Sequence, residues 1–257
     1  MLITVPVLAS LPKLKHGFFT RQGGVSTGVH ASLNVSRSNG DSPKAVQENR
    51  RRAARALGYG EGGLLTVTQD HTNTALSVNA PFSPRETPPV ADALVTRTPG
   101  LLLGIMTADC APILLVDPEA RVISACHAGS KGALVGIVEA TVEAMESAGA
   151  RPSRILAAIG PCIGTASYEV GDDFRAPFLK KDEASARFFT RATDAGPWHF
   201  DLNGFVEDRL NAMNVGEVIR LDRDTFQEQD LFFSYRHATL HSGGVCGRQL
   251  SAIALEP

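Results

Sequence analysis

Cys110 stands in the stretch MTADCAPILLVD, between Asp109 and an apolar run. His127 closes a second apolar run in RVISACHAG, and His71 follows a third in GLLTVTQDHTN. One thiol and two imidazoles at the ends of three strand-like runs admit three kinds of chemistry. A borderline-soft divalent ion such as zinc accepts thiolate and imidazole together, and three protein ligands leave a fourth position open, as catalytic sites require. A cysteine and a histidine could instead pair as nucleophile and base. A lone cysteine at a strand end is also a common small core residue, and a histidine in a polar turn is commonly just exposed. The spacing is far looser than a compact finger motif, so these readings stay open on pattern alone. Asp109 weighs against packing, because a carboxylate is an odd neighbour for an inert core thiol. It suits a group that orients a ligand, or a general acid or base.

Cys126 and His127 are adjacent, and successive side chains of a strand point to opposite faces. They cannot easily serve one site, so the spacing predicts Cys126 in the core and His127, whose imidazole needs a polar partner, facing the site. Small residues at Ala128-Gly129 leave room for a ligand to approach the backbone. His237 and His241 in SYRHATLHSGG are expected in a glycine-rich loop after a strand, and Cys162 in GPCIG beside the site.

The elements that must position these residues follow from periodicity. HGFFT predicts a short strand, and Ser42-Pro43 opens a helix running to about Leu57. ALVTR, LLLGIM, APILLVD and RVISACHA predict four strands, the last two meeting in a hairpin turn at Asp117-Pro118-Glu119-Ala120. Leu134, Val138, Thr141 and Met145 share one face of a helix predicted over Lys131 to Ala148, stopped by Gly149. SRILAAIGP, EVIRLD, FFSYR and QLSAIAL predict further strands, with short helices in DFRAPFLKK and DLNGFVEDRLNAMN. The proline-rich Asn79 to Asp92 reads as a binding loop or lid. Hairpins and helices mix without βαβ alternation, so the expected fold class is α+β, with mixed β-sheets flanked by helices in a single compact domain over residues 1–257.

Composition excludes several classes. The formal charge of -2 over 257 residues supplies no basic field for nucleic acid. NRRRAARALG is the one basic cluster and is expected to spread around a solvated helix face. No segment approaches the roughly 20 apolar residues of a membrane span. Four widely spaced cysteines and no secretory leader point to reduced thiols and a cytoplasmic setting.

HGFFTRQGGVSTG, SLNVS, GDSPKAVQENRRRAARALG, TQDH, TADCAPILLVD, CHAGSKG, AAIGPCIGTASYEVG and FFSYRH occur in that order nearly from end to end. The chain in this respect resembles the bacterial laccase-domain, or polyphenol-oxidase, proteins, which include zinc-dependent purine nucleoside phosphorylases. The resemblance implies a zinc site on His71, Cys110 and His127. It implies phosphorolysis of adenosine, inosine, guanosine and methylthioadenosine, with adenosine deamination as a further activity, and so a purine nucleoside and phosphate as partners. Cys110, His127 and Asp109 are then the expected catalytic groups. Arg21, Arg236 and Arg248 are candidates for phosphate, with amides of Gly23-Gly24. The family's H-A-G-W-R-G block reads HAGSKG here, so Ser130 replaces an aromatic and Lys131 takes the place of the arginine as a substrate or phosphate contact. Copper is the alternative metal and phenol oxidation the alternative chemistry, although the paired His-x-His blocks of multicopper sites are missing. A metal-binding protein without turnover is the third reading.

Overall fold

The computed structural model describes residues 2–60, 62–83, 87–193 and 195–257. Its three longest strands, β7 (Ala111–Asp117), β8 (Val122–Ala128) and β14 (Gln249–Leu255), are each buried along their whole length. That explains why their sequences read as continuous apolar runs rather than alternations: both faces are covered.

β7 and β8 form the centre of a six-stranded sheet in the order β13 (Glu217–Arg220), β9 (Leu156–Ile159), β7, β8, β5 (Ala93–Thr96), β4 (Ala75–Ser77). β14 is the centre of a five-stranded sheet in the order β1 (Leu2–Ile3), β2 (Leu14–Phe19), β14, β6 (Leu102–Thr107), β3 (Leu64–Leu65). Both sheets mix parallel and antiparallel pairs. They face each other through Phe18, Leu103, Ile105, Leu114, Ile123 and Ile253. Ile113, Leu115 and Cys126 on the opposite face of the six-stranded sheet pack on α4 (Ile137–Ser147) and α6 (Leu202–Ala212). Leu102 and Leu250 on the outer face of the other sheet pack under α2 (Pro43–Ala56). A third, three-stranded sheet, β10 (Glu169–Val170), β12 (Trp198–Phe200) and β11 (Phe189–Thr190), sits with α5 (Asp172–Lys181) around a phenylalanine cluster. α1 (Pro6–Ala9) flanks β2. The α+β class with mixed sheets and flanking helices is the one expected.

The β7–β8 hairpin turns at the expected place. Asp117 Oδ1 accepts from the amides of Glu119 and Ala120, and Oδ2 accepts from Arg154, so the buried carboxylate closes the turn. Three local expectations are corrected. The helix expected over 131–148 is two helices, α3 (Ser130–Val135) and α4, because Gly136 takes φ +105, a conformation that L side chains resist. FFSYR is not a strand. Gln249 offers its side-chain amide to Phe233, accepting from its N–H (2.8 Å) and donating to its carbonyl (3.2 Å), in place of a ladder partner. Ser234 then accepts from the His237 amide, and the chain enters α7 (Tyr235–His241), so His237 and His241 lie on a helix rather than in a loop. The arginines of α2 do not all face solvent. Arg51 and Arg52 pair with Glu48 on the surface, whereas Arg50 turns inward to Thr66 Oγ1 (2.9 Å) and the Val35 carbonyl (3.2 Å).

Candidate metal centre

His127 is on β8, and strand parity sends it the way the sequence implies. Cys126 lies in the core against α4, while His127 projects from the face that meets the five-stranded sheet. Cys110 enters β7 from a residue with left-handed backbone, Asp109 at φ +83. His71 is on a turn rather than at a strand end, itself at φ +57. The neighbouring Gln69 side chain pins that turn to β6, accepting from the Met106 amide and donating to the Met106 carbonyl, both at 2.8 Å.

Three chain segments thereby bring one ligand atom each from His71, Cys110 and His127 within 4.8 Å of one another. The Cys110 Sγ lies 3.7 Å from His71 Nε2, and the two imidazole centroids are 4.9 Å apart. Gly129 makes the convergence possible. A Cβ there would stand 2.6 Å from His71 Cδ2 and 2.9 Å from the Cys110 sulfur. Burial works to raise the Cys110 thiol, but the His127 imidazole and then His71 overcome it and bring the thiol down to about 6. Burial likewise works to lower His127, and Cys110 together with Asp92 overcomes it and pushes His127 up to about 9. The donor set is a thiolate and two imidazoles at mutual distances that one ion can bridge, which fits zinc and copper(I) alike by softness.

Asp92, which the sequence reading passed over, is fully buried and accepts from His127 Nδ1 at 2.8 Å. The sequence carried a signal for it: an aspartate immediately before the apolar run ALVT, with no obvious turn to serve.

The three donors open onto a cavity of about 630 Å³. Arg37, Arg50 and Arg248 line it with Ser36 and Ser38, and no carboxylate does so among the described residues. Among the described residues Arg50 makes no ion pair there; burial, with repulsion from Arg37 added, pushes its guanidinium down to about 10, so it stays charged at neutral pH. Tyr235, half exposed at the first position of α7, forms another wall, with the Arg248 guanidinium 5.6 Å from its ring centre. Pro88, from the proline-rich loop, also borders the cavity; residues 84–86 of that loop lie outside the described residues.

The other sequence-derived candidates are placed elsewhere. Asp109 accepts from Thr225 Oγ1 (2.7 Å) and from the Arg236 amide (2.6 Å), tying the Cys110 segment to the first turn of α7. Burial raises its carboxyl despite those bonds. The Arg236 side chain donates to the Glu169 carbonyl and lies over the Tyr168 ring. Lys131 is exposed and does not line the cavity. Ser130 receives a hydrogen bond from the Tyr168 hydroxyl at 3.2 Å. Arg21 lines a separate cavity of about 580 Å³ that includes none of the three donors. Cys162 is buried, with Asp109 near enough to help burial raise its thiol well above the ordinary range. Arg50 was missed because an arginine-rich helix gives no hint of which guanidinium turns inward, and Arg37 because it lies in the polar bend before α2, outside any periodic element.

The sequence model of the family described as multi-copper polyphenol oxidoreductase laccase matches residues 15–256. The chain belongs to this family. Among its relatives, a purine nucleoside phosphorylase of Deinococcus radiodurans is 40% identical over 262 residues, covering 99% of this chain and 92% of the relative. Purine nucleoside phosphorylase ORF3 of Streptomyces griseus is also 40% identical, over 91% of this chain and 92% of the relative. The solved structure of Neisseria meningitidis protein NMB0706 superposes with a TM-score of 0.87 at 32% identity, covering 100% of this chain and 99% of that one. YlmD of Geobacillus stearothermophilus superposes at 0.84 with 30% identity over 96% and 93% of the two chains. Among the described residues no helix is long and apolar enough to cross a membrane.

Proposed function

We propose that this laccase-family member is a zinc-dependent purine nucleoside phosphorylase acting on adenosine, inosine, guanosine and methylthioadenosine, with adenosine deamination as a side activity. The observation that carries the reading is the pairing of a three-donor cluster with a cavity that is basic and free of carboxylates among the described residues. Such a cavity suits one neutral and one anionic reactant together, and the relatives' names supply the reaction that uses both.

His71, Cys110 and His127 would hold the ion. When bound, zinc supplies Lewis acidity beside the cavity. The rest falls to the chain. Arg50, Arg37 and Arg248, with the hydroxyls of Ser36 and Ser38, receive phosphate as charge-assisted donors. Arg50 is held by Thr66 and the Val35 carbonyl, so it meets phosphate with its side-chain entropy already lost. Tyr235 offers an aromatic face to the purine. Phosphate attack on the anomeric carbon forms the new C–O bond as the glycosidic C–N bond breaks, and the departing purine nitrogen keeps the electron pair and takes up the proton that hydrogen phosphate gives up. The ring then carries positive character that phosphate, held by the arginines, balances. Asp109 works through the backbone, joining Cys110 to the helix that carries Tyr235.

The test is base release. Purified protein with measured zinc content is given adenosine with and without phosphate, and adenine, ribose 1-phosphate and inosine are separated chromatographically. Adenine formation that requires phosphate is expected, with Cys110→Ala inactive. No phosphate-dependent base release from any of the four nucleosides would sink the proposal. The copper reading is tested in parallel by oxygen uptake with a phenol before and after copper removal. The described residues hold one three-donor cluster, whereas reduction of oxygen to water consumes four electrons.

A further inference from the structure

The carboxylate of Asp92 serves two ligands at once. Its Oδ1 accepts from His127 Nδ1 at 2.8 Å and from the His71 amide at 3.1 Å. Its Oδ2 accepts from the Thr72 amide at 2.6 Å and the Thr72 hydroxyl at 2.8 Å. The backbone repeats the pattern: the Asp92 carbonyl accepts from the His127 amide (2.7 Å) and the Asp92 amide donates to the Thr74 carbonyl (2.9 Å). Asp92 is 0% exposed, so none of these bonds has water as a substitute.

We propose that Asp92 is the positioning residue that joins His71 and His127 into one metal-binding unit. A carboxylate only accepts, so His127 must carry a proton on Nδ1, which leaves Nε2 as the lone-pair nitrogen for the ion. The same carboxylate gathers the amides of His71 and Thr72 and holds the left-handed turn at His71. The His127 imidazole cannot swing without breaking its bond to the same carboxylate that holds the His71 backbone in place. An asparagine cannot do this. If its oxygen faces Thr72, its NH₂ confronts the donors of His127 and His71. If it is flipped, the NH₂ confronts the Thr72 amide.

The proposal rests on the metal reading and not on the reaction, and the readout needs no turnover. Zinc affinity is measured on the full chain by competition with a chromophoric chelator, for the wild type, Asp92→Asn and Thr72→Val. Loss of such a partner weakens metal binding about 10- to 100-fold, and this is expected for Asp92→Asn. Thr72→Val, which loses one of the donors and does not touch His127, is expected to weaken binding about threefold, on the order of 0.6 kcal/mol. Long-range proton–nitrogen spectra of the zinc-loaded wild type are expected to show the His127 proton on Nδ1, and that signal is lost in Asp92→Asn. A merely structural role would lower the melting temperature of the metal-free protein while leaving zinc affinity and the Nδ1 proton unmoved, and that result would overturn the proposal. If Asp92→Asn does not fold, Thr72→Val decides, with unchanged affinity counting against. A wild-type protein that binds no zinc would remove both this proposal and the metal reading. Absence of phosphorolysis would remove only the reaction.

Discussion

Two cavities among the described residues are of nearly equal size, about 630 and 580 Å³, each with a cysteine and an arginine in its wall. They differ in how those groups are partnered. In the first, Arg50 is anchored by one hydroxyl and one carbonyl and faces a space without a carboxylate among the described residues. In the second, Arg21 donates to the carbonyls of Ala31 and Gln229, stacks on Phe233 at 4.4 Å, and shares its cavity with Asp230. Cys110 sits between two imidazoles, whereas Cys246 accepts from the Arg248 guanidinium, 3.1 Å away, and burial raises its thiol. Residue type is therefore a poor guide to role; the partners already satisfied decide what remains to be offered to a ligand.

The widest contrast is between the cysteines. Cys110→Ala removes a ligand and is expected to lower phosphorolysis by at least about 1,000-fold, the scale on which removing a core catalytic group acts. Cys246→Ala should leave turnover and zinc content unchanged and cost about 1–2 kcal/mol of stability from lost packing. Equal losses in the two variants would erase the distinction between the cavities. Gly129→Ala is next. Its methyl would be driven against His71 and Cys110, so zinc affinity read by chelator competition should fall about 10-fold or more, a displacement penalty of overpacking size.

The arginines sharpen the comparison further. Arg50→Met is expected to raise the KM for phosphate about 10- to 100-fold, the loss of a charge-assisted hydrogen bond pair, with the KM for adenosine little changed. Arg21→Met should leave both constants unmoved and lower the melting temperature, since it loses two hydrogen bonds and a ring stack worth about 1–3 kcal/mol. A phosphate effect in Arg21→Met and none in Arg50→Met would exchange the roles of the two cavities. Lys131→Met, at an exposed position outside both linings, is expected to stay within about 0.5 kcal/mol in stability and to leave phosphate KM alone.

The first cavity also predicts a pH signature. In the metal-free protein Cys110 is held down near 6 and His127 up near 9, so between these values the pair is thiolate and imidazolium. Zinc must displace the His127 proton in that window, so its affinity should rise about tenfold per pH unit from 6 to 9. Below 6 the thiol must be deprotonated as well, and the slope should steepen. Chelator competition across pH 5 to 9 measures it, and a flat profile would show that the two groups do not share the ion.

Much was legible without coordinates. Long apolar runs in β7, β8 and β14 announced strands because sheets covered on both faces need apolar residues on both. The two-residue period of a strand separated Cys126 from His127, and the small residues Ala128-Gly129 after His127 implied room at the site. The order of the family's blocks named the three donors. What local pattern could not reach was long-range pairing. A side chain replaced a strand partner at Gln249, which turned FFSYR into a helix lead-in, and Gly136 used a conformation that no period reveals. Arg50 and Asp92 became important only when residues many positions away, Thr66 in one case and His71 and His127 in the other, were brought beside them. The sequence alone determined which atoms could bind an ion and on which strand face one of them points, because both follow from residue chemistry and backbone period. The tertiary structure decided which guanidinium turns into the cavity and which carboxylate holds the His127 imidazole and the His71 turn, because burial and hydrogen-bond satisfaction are properties of neighbours that the chain meets only when folded.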